Sequence, residues 1–309
     1  MVSAQEATDP SYQPATAITA LDASSPIGDI LSTIERDGGV ILRNFASLED
    51  ISGIDKDVES HRHQTVAASS GPLSVIPKET LAVPGLVGKS DIIAKIAAEH
   101  PVLENLRQAI LQHTYRVNRE KGLVEYKTID PLLSMSVSFY IGPGAPRQRL
   151  HRDDLTHGVE HDSAFRLDRA GQFGCLIAAS RTTRENGATM FIPGSHKWDD
   201  SRAPKIHEVC FAEMKPGSAL IFLASCYHGG GHNSTTDQVR RVHGLFFCRG
   251  NMRTEENQFF AVPRSKLEGA NDKMLSLLGY KIPSDVPLGM VDNADPSKNL
   301  TAVFKKADQ

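Results

Sequence analysis

The sequence predicts a mainly β fold, a sandwich or jelly roll with flanking helices, and three observations carry that prediction. Residues 133–139 (LSMSVSF) alternate apolar side chains with serines, the period-two pattern of a strand with one face on a core. Apolar runs of strand length follow at 173–180, 189–192, 218–223 and 241–248. Turn pairs punctuate them: Pro143-Gly144, Asn186-Gly187, Pro193-Gly194 and Pro216-Gly217, with the run Gly229-Gly230-Gly231. Many short strands divided by turns are what sandwiches and jelly rolls require.

Taken in order, residues 1–24 are rich in Ala, Ser, Thr and Pro and are expected to form a mobile arm. Residues 25–309 are then a single domain, with its jelly-roll core at about 130–250. Ser25-Pro26 signals a helix start, with Ser as cap and Pro at the first helical position, and Ile27, Ile30, Leu31 and Ile34 follow at helical spacing. Gly38-Gly39 stops that helix, and Val40-Ile41-Leu42 reads as a short buried strand. Ser47 with Asp50 marks a second helix start. Residues 91–114 read as helical with a break at Pro101. After the strand-rich centre, the tail 264–309 mixes a short helix, Ser265 to Leu278, with Pro- and Asp-rich loop.

Composition narrows the function classes. The chain has 309 residues, 40% of them hydrophobic and 23% charged, so it can bury a large core. A formal net charge of −3 gives no basic surface for nucleic acid or an anionic membrane. No apolar run approaches the length of a membrane span. The four cysteines, Cys175, Cys210, Cys226 and Cys248, form no C-x-x-C pair and no secretory signal precedes them. They read as reduced thiols of an intracellular, cytoplasmic protein.

The chemistry concentrates in His151-Arg152-Asp153 and in His228, 77 residues further on. A histidine and an aspartate two residues apart on a strand share a face. A distant histidine can close a facial set of two imidazoles and one carboxylate, the ligand pattern of non-heme Fe(II) oxygenases. An H-x-D alone is weak, because isolated histidines mostly serve as surface or hydrogen-bonded residues. A rival motif is His157-Gly158-Val159-Glu160-His161, which matches the H-x-x-E-H of certain zinc hydrolases. That chemistry needs a helix with a sustained apolar stripe, and this segment holds a glycine between acidic flanks. His61 and His63 form a further H-x-H pair with nothing nearby to complete a site.

Four stretches resemble the phytanoyl-CoA dioxygenase family of Fe(II)/2-oxoglutarate oxygenases, most closely its fungal members that tailor alkaloids and meroterpenoids. They are Asp37 to Leu42, Gln148 to Asp153, Glu185 to Thr189 with Pro193 to Trp198, and His228-Gly229-Gly230 with Arg240-Arg241. The central E-N-G-A-T…P-G-S-H-K-W hairpin is the most specific of them. The resemblance implies a double-stranded β-helix, a cupin-like jelly roll. It implies His151, Asp153 and His228 as iron ligands and O2 and 2-oxoglutarate as co-reactants. It implies that Arg240 binds the distal carboxylate of 2-oxoglutarate, with Arg241 as the fallback if the register slips, and that Gln148 and Thr189 contact the cosubstrate. An arginine suits this role because its planar fork pairs bidentately with a carboxylate. Asp153 favours oxygenation, since in related halogenases a small residue replaces that carboxylate. Trp198 and His196 read as hairpin packing and turn stabilisation, and Cys226 as a buried thiol near the pocket.

The expected activity is dioxygenation of an apolar small molecule, as hydroxylation, desaturation or ring formation, in fungal secondary metabolism. The alternatives are a zinc hydrolase built on His157, Glu160 and His161, or a metal-binding jelly roll without redox activity. Substrate walls are expected from 66–92, the loop 154–170 and the tail after 250, because loops on a rigid scaffold carry specificity. The lack of a basic cluster argues against a CoA thioester. A homodimer is expected from the resemblance.

Overall fold

A computed structural model describes residues 11–62, 76–283 and 286–307. Twelve strands are present among them: β1 (Ala20–Asp22), β2 (Gly39–Arg43), β3 (Thr80–Pro84), β4 (His113–Asn118), β5 (Val124–Ile129), β6 (Leu132–Ile141), β7 (Gln172–Ala178), β8 (Met190–Phe191), β9 (Cys210–Phe211), β10 (Ala219–Leu223), β11 (His228–Gly229) and β12 (Arg240–Cys248). The large sheet runs β1-β2-β10-β7-β12-β6-β3, antiparallel except for the β1–β2 edge pair. A small sheet, β11-β8-β9, faces it, with the Phe222 ring of β10 centred 4.5 Å from that of His228 on β11. Two facing sheets with helices outside make the mainly β, cupin-like jelly roll that the strand pattern predicts.

The helices explain why β7 and β10 are buried along their whole length. A strand covered on both faces reads as a continuous apolar run, as FGCLIA and ALIFL do. Helix α1 (Ile27–Asp37) lays Ile30 and Ile34 on the sheet and ends at Gly38 with φ +80°. Helix α2 (Leu48–Glu59) buries Ile51, Ile54 and Val58, and its Ser47/Asp50 capping box forms as expected. At α1 the cap differs: Pro26 itself occupies the N-cap position, and no side chain caps the helix.

Other differences have local causes. The helical stretch from residue 91 breaks at His100, before Pro101, and ends at Leu111. Residues 113–129 then form the β4–β5 hairpin, whose mixed polar alternation gave no strong strand signal. Proline and the residue before it disfavour helix continuation, which explains the first break. The tail helix is two pieces, Arg264–Leu267 and Asp272–Leu277, divided around Gly269. Within the stretch read as an arm, Ala20–Asp22 pairs with β2 and the Tyr12 hydroxyl donates to the Val209 carbonyl at 2.6 Å. His63, and the first part of the expected wall segment 66–92, lie outside the described residues.

Candidate metal centre

His151 and His228 sit directly opposite one another on adjacent antiparallel segments. Each backbone N–H donates to the other's carbonyl at 2.9 Å. Directly opposed residues project to the same face, and the ring centroids lie 4.6 Å apart. Asp153 arrives differently from the strand geometry expected for it. It opens a short 3-10 turn, Asp153–His157, and its N–H donates to the Ala224 carbonyl at 2.9 Å. That turn swings its carboxylate inward, so that Oδ1 lies 3.4 Å from Nε2 of each histidine. One ligand-capable atom from each of the three falls within 4.8 Å of the others.

Both imidazoles are already oriented. His151 Nδ1 donates to the Arg149 carbonyl at 2.8 Å and His228 Nδ1 to the Cys226 carbonyl at 3.1 Å. A backbone carbonyl can only accept, so each Nδ1 carries the proton and each Nε2 is left as a lone pair for a cation. Burial opposes charge on Asp153, but positive charge on the neighbouring His228 and His151 rings outweighs it and holds the carboxyl below its usual range, and a cation bound at the Nε2 atoms would supply that charge in place of the ring protons. Its Oδ2 is buried without a hydrogen-bond partner. Two neutral imidazole nitrogens and a carboxylate suit a divalent first-row metal.

The three side chains open into a cavity of about 510 Å³ between the sheets. Arg240, at the start of β12, lines the same cavity and is 3% exposed. Its Nε and Nη1 have no partner, and burial without a counter-anion pulls its pKa down to about 10. Gln148 and Thr189 also line the cavity. Gln148 Oε1 accepts from the Gly230 N–H at 2.6 Å, and its own N–H donates to the Gly230 carbonyl at 2.8 Å. The glycine run permits this approach, because a Cβ on Gly229 would stand 3.0 Å from the Arg149 carbonyl oxygen. Arg241 projects to the other side of β12, where it pairs with Asp55 and stays out of the cavity.

The rival motif does not assemble. His157 Nε2 donates to the Arg253 carbonyl at 2.8 Å, Glu160 is exposed, and His161 is held 3.0 Å from both Asp154 and Asp200. Among the described residues, the metal-capable group that converges is His151, Asp153 and His228. Single-residue inspection missed a supporting network around Arg152. The Arg152 guanidinium donates to Asp200 and to the Ser195 and Trp198 carbonyls. It therefore ties the ligand-bearing segment to the central hairpin, and Asp200 carries the tie on to His161 and Asp154. His196 bonds the Glu35 carbonyl at 3.1 Å, anchoring that hairpin to α1, and Cys226 is buried beside Gly38 rather than on the cavity wall.

Known proteins resemble this chain over most of its length. Dioxygenase swnH1 of Metarhizium robertsii is 50% identical over 301 residues, spanning 97% of this chain and 97% of that protein. Dioxygenase swnH2 of Arthroderma benhamiae is 44% identical across 97% of this chain and 96% of its own length. Dioxygenase peniF of Penicillium patulum is 30% identical across 88% and 87%. Among solved structures, the non-heme alpha ketoglutarate dependent epimerase SnoN superposes with a TM-score of 0.53 at 16% identity, covering 75% of this chain and 87% of that one. HygX from Streptomyces hygroscopicus, solved with nickel and 2-oxoglutarate, gives 0.50 at 13% identity over 73% and 88%. At such identities the structures speak for the shared fold. The phytanoyl-CoA dioxygenase model itself matches residues 34–242, and this chain belongs to that family of Fe(II)- and 2-oxoglutarate-dependent dioxygenases.

Proposed function

We propose that His151, Asp153 and His228 hold the ferrous ion and that Arg240 receives the distal carboxylate of 2-oxoglutarate, with Gln148 and Thr189 beside the cosubstrate. The observation that carries this is Arg240. A buried guanidinium with unpartnered nitrogens costs free energy unless an anion meets it. It shares one cavity with a carboxylate oxygen, Asp153 Oδ2, that likewise lacks a partner. A dicarboxylate bridging a metal and an arginine satisfies both ends.

When bound, iron couples the oxidative decarboxylation of 2-oxoglutarate by O2, giving succinate and CO2, to a two-electron oxidation of the substrate. The chain's own part is placement. The Arg149 and Cys226 carbonyls fix the imidazole tautomers, the Arg152 network holds the ligand segment, and the apolar walls Met135, Phe139 and Phe246 exclude water and bound the substrate.

The substrate is a small molecule of mainly apolar body, oxidised by hydroxylation, desaturation or ring formation in fungal secondary metabolism. The high identity to swnH1 and swnH2 and the apolar cavity wall support that reading. Residues 25–309 act as one catalytic domain, since Leu275, Leu277 and Leu300 of the tail pack into the same apolar core as Ile30 and Ile34 of α1. Four free, buried cysteines suit a reducing compartment such as the cytoplasm. No helix is long and apolar enough to cross a membrane among the described residues. Homodimerisation follows the resemblance, and light scattering on the purified protein decides it.

Anaerobic addition of Fe(II) and 2-oxoglutarate should give a weak visible charge-transfer band, and a mass-spectrometric screen of natural products should find gain of one oxygen or loss of two hydrogens. A protein that binds Zn(II) but forms no such band would return the hydrolase reading.

A further inference from the structure

The β4–β5 hairpin lines no part of the metal cavity and forms a two-stranded sheet of its own. A ribbon of two strands is marginal in water unless further strands or a packed face support it. One side of this ribbon, with Tyr115, Val117, Glu125 and Lys127, is half-buried. The other turns Arg116, Val124 and Tyr126 to solvent, with the Tyr126 side 69% exposed and Leu123 in the turn 58% exposed. Among the described residues the backbone of β5 bonds only to β4, so the outer edge of β5 is open to another strand.

Other edges of the molecule are poorer templates. β1 is three residues long, and β3 ends at Pro84, which has no N–H to give. β4, with the sequence HTYRVN, carries the charge of Arg116 and no acid. Any antiparallel pairing of β4 with its own copy leaves that charge unmatched. β5, with the sequence VEYKTI, differs in that an acid and a base flank its exposed aromatic residue. Glu125 and Lys127 lie on one face of the strand and stand 3.6 Å apart, and Glu125 also holds Arg119 at 3.1 Å.

A two-fold axis at Tyr126 sets Glu125 opposite the partner's Lys127, and Lys127 opposite the partner's Glu125. It also sets Tyr126 opposite the partner's Tyr126, on the face that is now exposed. Moving the axis to Glu125 or to Lys127 would oppose like charges, which destabilises a strand pair. One register is therefore self-complementary in charge and in aromatic contact, as an isologous interface requires. We propose that the outer edge of β5 is the dimer interface of this protein: two copies join their β5 strands antiparallel about Tyr126, so that two hairpins become one four-stranded sheet. The partner is a second copy of this chain. Pairing supplies the strands that a two-stranded ribbon lacks, and the Tyr126 rings gain a cross-strand contact. The proposal rests on the homodimer reading above and adds to it the surface and the register.

The test is analytical ultracentrifugation of the full chain from about 1 to 100 μM, a range that spans weak and firm association. Wild type should form a dimer. Glu125→Lys and Lys127→Glu each set like charges opposite one another at two symmetric places, and each should weaken self-association about tenfold or more. Mixing the two single variants is the decisive arm. Across the two-fold it restores both opposite-charge pairs, while the strand within each chain keeps its like charges. The mixture should therefore give a heterodimer within about threefold of the wild-type affinity, seen by native mass spectrometry. A variant damaged only within its own chain would not be rescued in this way. A wild-type protein that stays monomeric overturns the homodimer reading, and this interface with it. A wild-type dimer that both single variants leave intact overturns the interface alone, as does a mixture that forms no heterodimer.

Discussion

Arg240 and Arg241 are adjacent in β12, yet one lies in a cavity without a partner and the other in a cluster that supplies its own. Alternation along the strand sends them to opposite sides of the large sheet. On the helix side, Arg241 pairs with Asp55 of α2, and its backbone N–H donates to Ser180 Oγ at 2.9 Å. Two residues on, His243 is hydrogen-bonded to Ser138 Oγ at 2.6 Å, and its Nε2 stands 3.6 Å from Asp55 Oδ1. Serine, histidine and aspartate in that order have the composition of a hydrolytic triad. Ser138 is fully buried and does not line the cavity of the metal centre, so a substrate bound there does not reach it. On the cavity side, Arg240 Nε and Nη1 and Asp153 Oδ2 have nothing. Buried polar groups that the chain pairs for itself hold structure, and those it leaves unpaired at a cavity await a ligand.

Breaking the cavity side should give the largest effects. Asp153→Ala removes the only carboxylate of the triad, and substrate-coupled succinate release should fall by at least about a hundredfold, together with iron occupancy. Mass spectrometry of succinate and metal analysis of the purified variant read the two together, and a variant that keeps both would remove Asp153 from the centre. Arg240→Ala should weaken 2-oxoglutarate by about 2–5 kcal/mol, the usual cost of breaking a desolvated charge pair. Equilibrium dialysis measures it, and an affinity equal to wild type would detach Arg240 from the cosubstrate.

How much of this was legible beforehand follows the same division. The side chains proposed to hold the metal could be singled out because they occupy a short, spaced pattern, and Arg240 because it follows His228 at a fixed interval. The core strands β6, β7, β10 and β12 could be read because burial imposes long apolar or alternating runs. The β4–β5 hairpin could not, since its residues alternate between half-buried and exposed without an apolar face. The turn that aims Asp153 was also hidden, because a 3-10 start after a strand residue depends on the Ala224 carbonyl, 71 positions away. Glu255 sits in a loop with no motif, and only the tertiary structure brings it to Gln172 and Ser134.

The helix side should show itself in acid. Burial pulls the pKa of His243 down from the ordinary 6.5 to about 4, and Arg241 adds to the effect. His196 is pulled down to about 4 as well, again chiefly by burial. Between these values the unfolded chain takes up protons that the folded protein refuses. Stability therefore falls as pH drops from about 6.5 toward 4, by up to about 3 kcal/mol for each such histidine. His243→Gln removes one of these titrations, so the urea midpoint should fall less steeply with acid than in wild type. Parallel slopes for the two proteins would mean that His243 is not kept neutral by the fold. The 2-oxoglutarate affinity of this variant should stay at the wild-type value, because Ser138, Asp55 and Arg241 surround His243 and none of them lines the cavity.

Arg241→Ala is the smallest perturbation and the sharpest control. Its side chain is 39% exposed, so losing the pair with Asp55 should cost only about 1 kcal/mol in urea unfolding. The same substitution removes a positive charge that disfavours protonation of His243 and leaves Asp55 as the nearest charge to that ring. The folded-state pKa of His243 should rise toward its ordinary value, and the acid slope should become shallower even though stability at neutral pH is lower. Those two changes have opposite signs, which simple loosening of the fold would not produce. With 2-oxoglutarate affinity unchanged as well, Arg241→Ala would separate the two sides of β12 by one position of sequence. A drop in cosubstrate affinity matching that of Arg240→Ala would instead show that the two sides act as one site.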